Sequence, residues 1–280
     1  MGTACPKRAS IADLPARTVL VDEPNQFGNA FLVEAGRGCP RACTFCVARS
    51  GSRKTLFVPV SRILEAVPMD CVRVGLVGAA VSDHPRLPEV IEAFVSRNSS
   101  VTLSSIRADR ASLELLDLLS RGGLRTLTVA ADGASDGLRT QIRKGITTED
   151  LETCAETARQ VGIRKIRLYV MVGLPGETDG DLDELASLVR RMAKRTSLTI
   201  SISPFVPKRF TPLADAAFAG VAELKRRVSL LKRGIQGAAR FRAISPRTAL
   251  AEWRLSHARA DSVFEVMREL GLDREQPETV

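Results

Sequence analysis

The sequence predicts an α/β fold: a partial, open (βα)6 barrel of the TIM type, followed by a mainly helical C-terminal extension. Three observations predict it. Short β-branched runs alternate six times with longer stretches of helical period, the rhythm of βα units on a parallel sheet. Small, hydroxylic and charged residues interrupt the apolar pattern after each strand, where barrel chemistry collects. Three cysteines occupy one short loop behind the first strand.

Strands are expected over 30–34, 72–77, 101–103, 126–130, 165–170 and 198–202. The run IRLYVMV at 166–172 is almost wholly apolar, which predicts a strand covered on both faces. Helices are expected over 61–67, 87–96, 112–120, 135–143, 148–161 and 178–195, with Pro59 and Pro68 bounding the first. Thr147 with Asp150, and Thr178 with Asp181, stand in capping-box relation, so each hydroxyl can satisfy a first-turn amide. Residues 221–233 and 262–270 read as further helices. The chain thus divides into a linker-like segment 1–27, a barrel 28–213 and a helical extension 214–280.

The strand ends carry, in order, the cysteine loop, Gly78-Ala79-Ala80, Ser104-Ser105-Ile106-Arg107, Ala131-Asp132-Gly133, Gly173 to Glu177, and Pro204 to Pro207. Any one of these is ordinary turn chemistry. Their recurrence opposite the cysteines predicts a mouth shaped for an extended polar cofactor.

Cys39, Cys43 and Cys46 lie in GRGCPRACTFC at C-x3-C-x2-C spacing, with no fourth cysteine nearby. A four-iron cluster normally takes four thiolates, so three would leave one iron open for another ligand. Structural zinc is the main alternative. Zinc knuckles, however, usually come as two separated pairs, and neither histidine, His84 nor His257, sits at ligand spacing from the loop. Six cysteines in 280 residues without a secretory segment do not suggest a disulfide framework. Cys5, Cys71 and Cys154 are isolated; they read as small apolar residues or, for Cys5, an incidental terminal thiol.

Hydrophobic content of 44% predicts a soluble globular protein able to bury one substantial core. No apolar run approaches the ~18–20 residues of a membrane span, and MGTACPKRAS has no signal-peptide pattern, so a cytoplasmic protein is expected. The net charge of +9 is uneven: residues 190–259 hold 16 Lys/Arg against three acids. Such a region could attract RNA, an anionic substrate or an acidic partner. Against RNA stand an arginine bias along the whole chain and an aromatic content of only 4%.

The cysteine loop, with Phe45 just before its last cysteine, resembles the radical S-adenosylmethionine (SAM) superfamily. RKGIT at 143–147, LYVMVGLPGET at 168–178 and SPFVPK at 203–208 resemble one branch. That branch holds methylthiotransferase-like and cobalamin-binding radical SAM enzymes, with a core called Elp3/MiaB/NifB-like. The likeness covers roughly 28–213. It implies a barrel of the radical SAM type and a [4Fe–4S] cluster on Cys39, Cys43 and Cys46, with SAM chelating the fourth iron. It implies that Phe45 packs near the adenine and that Gly78 and Ala79 meet the SAM amino group through backbone. Ser105 and Arg107 would meet the carboxylate or ribose. Asp132 takes the place of a longer acid in the family, and Val172, Gly173 and Leu174 would border the adenine. The resemblance further implies reductive cleavage of SAM to a 5′-deoxyadenosyl radical that takes hydrogen from substrate. Electrons would come from a low-potential donor such as flavodoxin or ferredoxin.

The sequence departs from the family in places. The acid of the family's Gly-Gly-Glu-type segment is missing at 78–80. About 27 residues precede the first strand, too few for a cobalamin-binding domain, so cobalamin would not be bound by a domain of this chain. Residues 214–280 show no appended RNA-binding barrel and no further cysteine for a second cluster, which disfavours methylthiolation. Three readings follow. The first is a radical SAM enzyme acting on a small molecule or natural-product precursor, by hydrogen abstraction with or without methyl transfer. The second is a tRNA- or RNA-modifying radical SAM enzyme, and the third a non-catalytic metal-binding scaffold.

Overall fold

Seven parallel strands form the frame of the protein, seen in a computed structural model that describes residues 15–19, 29–48 and 54–271. In chain order the strands and helices are β1 (Phe31–Glu34), β2 (Gly36–Arg37), β3 (Leu56–Phe57), α1 (Val60–Ala66), β4 (Arg73–Val77), α2 (Leu87–Val95), β5 (Ser100–Leu103) and α3 (Leu113–Arg121). They continue with β6 (Thr126–Asp132), α4 (Asp136–Gln141), α5 (Thr148–Gln160), β7 (Lys165–Val172), α6 (Asp179–Ala193) and β8 (Ser197–Pro204). The chain then forms α7 (Val221–Ile235), β9 (Arg240–Ala243), α8 (Pro246–His257) and α9 (Val263–Glu269). All six predicted strands are present.

The frame is built as two plates. Strands β1, β4 and β5 form one parallel sheet, and β6 to β9 form another in sequence order. A single parallel bridge between Ile106 and Val129 joins them, with the Ile106 amide donating to Thr128 O at 2.9 Å. The outer edge of β1 is covered by the stretch at residues 16–18, which runs antiparallel to it, an arrangement that protects an edge from stray pairing. Residues 1–14 and 20–27 of the linker-like segment, Cys5 included, lie outside the described residues.

One expectation needs correction. The run at 166–172 is covered on one face only. Ile166, Leu168, Val170 and Val172 are buried, whereas Arg167 and Met171 are partly open and Tyr169 is 38% exposed. The open sheet explains this: helices cover its convex side, and the concave side stays accessible. Beside its helices the C-terminal extension contributes one strand, because β9 adds in parallel to β8. Its sequence, RFRA, does alternate polar and apolar residues, but over four positions only, and Phe241 alone of them is even partly buried.

The core lies between the strands' convex face and the helices. Leu182, Leu185, Leu188, Val189 and Met192 of α6 are all buried, at spacings that place them along one face. Burying each such side chain contributes roughly 1.5–3 kcal/mol. Both predicted capping boxes form, at Thr147 with Asp150 and at Thr178 with Asp181. Helix α7 docks on α6 through buried Leu224, Leu231 and Ile235, and Arg226 pairs with Asp179. Cys154 is inside the core, where burial pushes its thiol up to about 12. His84 is structural: Arg86 N donates to Nδ1 at 3.1 Å, so Nε2 carries the proton and donates to Val58 O at 2.9 Å.

Candidate functional site

The cysteine loop leaves the first strand by a sharp route. β2 pairs antiparallel with β3, then the chain turns at Gly38. Three ties fix the loop over the carboxyl ends of the strands. The Thr44 amide donates to Ile142 O at 3.0 Å, Leu213 N donates to Thr44 O at 3.3 Å, and the Arg41 guanidinium grips Asp83. Cys39, Cys43 and Cys46 all carry free, partly exposed thiols and line one cavity of about 150 Å³.

The other walls of that cavity come from three successive strand ends. Gly78 and Ala79 follow β4, Ser105 and Arg107 follow β5, and Asp132 closes β6. Phe45 also lines it. Nine of the twelve predicted site residues therefore meet in one place. Gly78 is required by close approach, because a Cβ there would lie 2.6 Å from Gly36 O, next to the cysteine loop.

Charged residues complete the cavity. Lys144, buried, donates from Nζ to Asp132 Oδ2 at 2.5 Å. Arg107 holds Asp109 through Nε at 2.9 Å and donates from Nη2 to Lys144 O at 3.0 Å and Gly145 O at 2.9 Å. Behind them, Arg139 is 1% exposed and satisfied on every side. It donates to the carbonyls of Ile146, Gly133 and Ala134, to Asp136 Oδ1 and to Thr148 Oγ1. That network sets the bend from α4 into residues 143–147 and so aims Lys144. Arg41, Asp83 and Lys144 carry no role in the sequence reading. RKGIT was the only available signal for Lys144, and the ion pairs of Arg41 with Asp83 join residues far apart in sequence.

Val172, Gly173 and Leu174 do not line this cavity. Val172 O accepts from Phe205 N, Gly173 N donates to Glu177 Oε2 at 2.6 Å, and Leu174 O accepts from Glu177 N. Gly173 has φ +88°, and a Cβ there would meet Leu224 Cδ2 at 2.6 Å. These residues seat α7 on the sheet. Glu177 is buried between the Gly173 amide and Arg227; burial pushes its carboxyl up while those two partners oppose the shift. A second cavity of about 330 Å³ adjoins the first, with Phe45 lining both. Met171, Phe205 and Ile244 give it apolar walls, and Lys208 paired with Glu252 gives it one polar side.

The donor set fits an iron–sulfur cluster. Such a cluster takes its thiolates at separate corners, and the three cysteines of this loop all line one cavity. Arg41, Arg107 and Lys144 also place positive charge about the thiols. Burial pushes the Cys43 thiol up, and Lys144 and Arg107 act against that.

Residues 33–189 match the family model described as the radical SAM superfamily. An uncharacterized protein of Methanocaldococcus jannaschii, MJ0966, is 34% identical over 212 residues, covering 74% of this chain and 47% of that protein. The tRNA-2-methylthio-N(6)-dimethylallyladenosine synthase of Burkholderia pseudomallei is 24% identical over 237 residues, covering 75% and 48%. The chain spans about half the length of these curated relatives. Among solved structures, Streptococcus suis SuiB bound to precursor peptide SuiA shares the fold, with a TM-score of 0.56 at 16% identity over 79% of this chain and 50% of that one. The superfamily uses a [4Fe–4S] cluster and SAM. Among the described residues no helix is long and apolar enough to cross a membrane. The matched stretch runs from β1 into α6 and takes in every residue lining the first cavity: this chain is a member of the radical SAM superfamily.

Proposed function

We propose that this chain is a radical SAM enzyme that acts on a small molecule or natural-product precursor. One observation carries the reading: the three thiols share a cavity with the strand-end residues, and Phe45 alone of the cysteine-loop side chains also lines the apolar cavity beside it. Cys39, Cys43 and Cys46 would hold the cluster, and Gly78, Ala79, Ser105, Arg107 and Asp132 the cofactor. When bound, the cluster and SAM supply a radical able to take hydrogen from substrate. The protein's part is to orient and to exclude water. Arg107 and Lys144 supply cationic donors suited to a carboxylate, and Gly78 permits close backbone approach. The second cavity would seat the substrate, with Lys208 and Glu252 as its polar contacts. Electrons would come from a flavodoxin- or ferredoxin-like donor.

The test is anaerobic incubation of reconstituted protein with SAM and a strong reductant. Formation of 5′-deoxyadenosine that disappears in Cys43→Ala supports the reading. Its absence from protein carrying a full iron complement overturns it, as does zinc at one per chain without a broad iron–sulfur absorbance.

The relative that makes a modified tRNA base favours a second reading, RNA modification by the same site. Binding of tRNA that weakens steeply with salt would support it, because phosphate contacts release counterions. A flat salt response would count against it.

A further inference from the structure

The four strands β6 to β9 begin at a cleft on the opposite end of the sheet from the cysteines. Its volume is about 440 Å³, and Lys165, Arg167, Arg240 and Arg242 all line it. The strand register makes this a built arrangement. Arg167 of β7 lies beside Thr199 of β8, which lies beside Arg240 of β9, and Lys165 lies beside Ser197. Neighbouring strands stand ~4.8 Å apart, so Arg167 and Arg240 flank Thr199 at a span of roughly 10 Å. Residues in register on a sheet share a face, so the cations and hydroxyls point the same way.

Among the described residues none of these four cations pairs with a carboxylate. Elsewhere arginines are commonly matched, as Arg41 is to Asp83, Arg226 to Asp179 and Arg227 to Glu177. No acidic residue lines the cleft. Like charges held together repel, a cost that an anion would relieve. A second observation points the same way. Thr196 lines the cleft, is 6% exposed, and its Oγ1 is buried without a hydrogen-bond partner. Buried hydroxyls are normally satisfied, and this one stands unpaired in the wall of the cleft.

We propose that this cleft binds a compact polyanion, a small molecule bearing phosphate or pyrophosphate. Its size falls within the ~300–1,000 Å³ of small-molecule pockets. No aromatic side chain lines it, which removes the stacking platform that unpaired nucleic acid uses. Strand β7 separates the cleft from the cysteine end by most of its eight residues, roughly 20 Å, so the site is distinct from the SAM cavity. The proposal stands whether or not the chain performs radical chemistry.

The test is calorimetric titration of the full, reconstituted protein with inorganic pyrophosphate. Three proteins are compared: wild type, Arg167→Gln/Arg240→Gln, and a charge-matched control, Arg233→Gln/Arg247→Gln, whose residues lie outside the cleft. The expected result is saturable one-to-one binding in wild type and control, weakened at least tenfold in the cleft variant. Thr196→Val should weaken it about threefold. If the double variant does not fold, Lys165→Gln at the exposed strand end is read instead, with a loss of at least threefold expected. Absence of saturable binding, or equal losses in cleft and control variants, would overturn the proposal. So would tRNA binding that depends on Arg167 and Arg240 while pyrophosphate fails to bind.

Discussion

Lys144 and Asp132 form an ion pair at 2.5 Å across the wall of the thiol-lined cavity, and each stands there by local backbone design. Asp132 has φ +62° at an irregularity in the β6–β7 ladder, which Asp tolerates better than most residues. Lys144 follows Arg143, itself at φ +52°. Replacing Lys144 by Met would leave the Asp132 carboxylate without its partner at the cavity wall. SAM affinity of the reconstituted protein should fall about tenfold, or roughly 1.4 kcal/mol, by equilibrium dialysis, and Lys144→Arg should recover most of it. Unchanged affinity in Lys144→Met would remove this pair from cofactor binding.

Arg139 holds the neighbouring turn from within. In Arg139→Ala, the carbonyls of Gly133, Ala134 and Ile146 lose their donor together with Asp136 and Thr148. Leaving buried carbonyls without their donor costs about 1–3 kcal/mol. Denaturant unfolding should show a loss of that size, and a loss under ~1 kcal/mol would contradict the role given to Arg139.

Gly78 tests the coupling between β4 and the cysteine loop. The Cβ of Gly78→Ala would press on the carbonyl oxygen of Gly36, which is backbone and cannot rotate away. A stability loss of about 1–3 kcal/mol is expected, with reduced iron loading after reconstitution. Normal iron content at normal stability would show that β2 yields without moving the thiols.

Asp136 predicts a pH dependence. Burial pushes its carboxyl up, but hydrogen bonds from Arg139 and Thr148 outweigh that and hold it below its ordinary value. A carboxyl lowered on folding adds stability that is full above its unfolded pKa and fades as pH falls through its folded one. Wild type should therefore exceed Asp136→Asn in unfolding free energy by a constant margin at neutral pH, closing below about pH 4. A margin unchanged down to about pH 2 would contradict the assignment.

Much of this protein is legible in the sequence because its signals are local. The strands show through β-branched runs, and both capping boxes form where the Thr and Asp spacing puts them. The cavity is legible because parallel strands bring their carboxyl ends together. What escapes is tertiary. Lys144 reaches the cavity only because Arg139 sets a bend, and β9 is a strand because it lies against β8. Val172 to Leu174 resemble a cofactor-bordering motif, and their hydrogen bonds run to Phe205 and Glu177. The apolar look of β7 hides its open side, since Tyr169 and Met171 are apolar enough to pass for core.

The seam at Ile106 and Val129 has a mechanical consequence. Gly78, Ser105 and Arg107 ride on one plate of the frame, and Asp132 and Lys144 on the other. One backbone rung fastens the two, and the Arg107 grip on the Lys144 and Gly145 carbonyls is a second rivet across the same joint. Among the fasteners that gauge the gap a cofactor would have to fit, one is thus itself a wall of that gap.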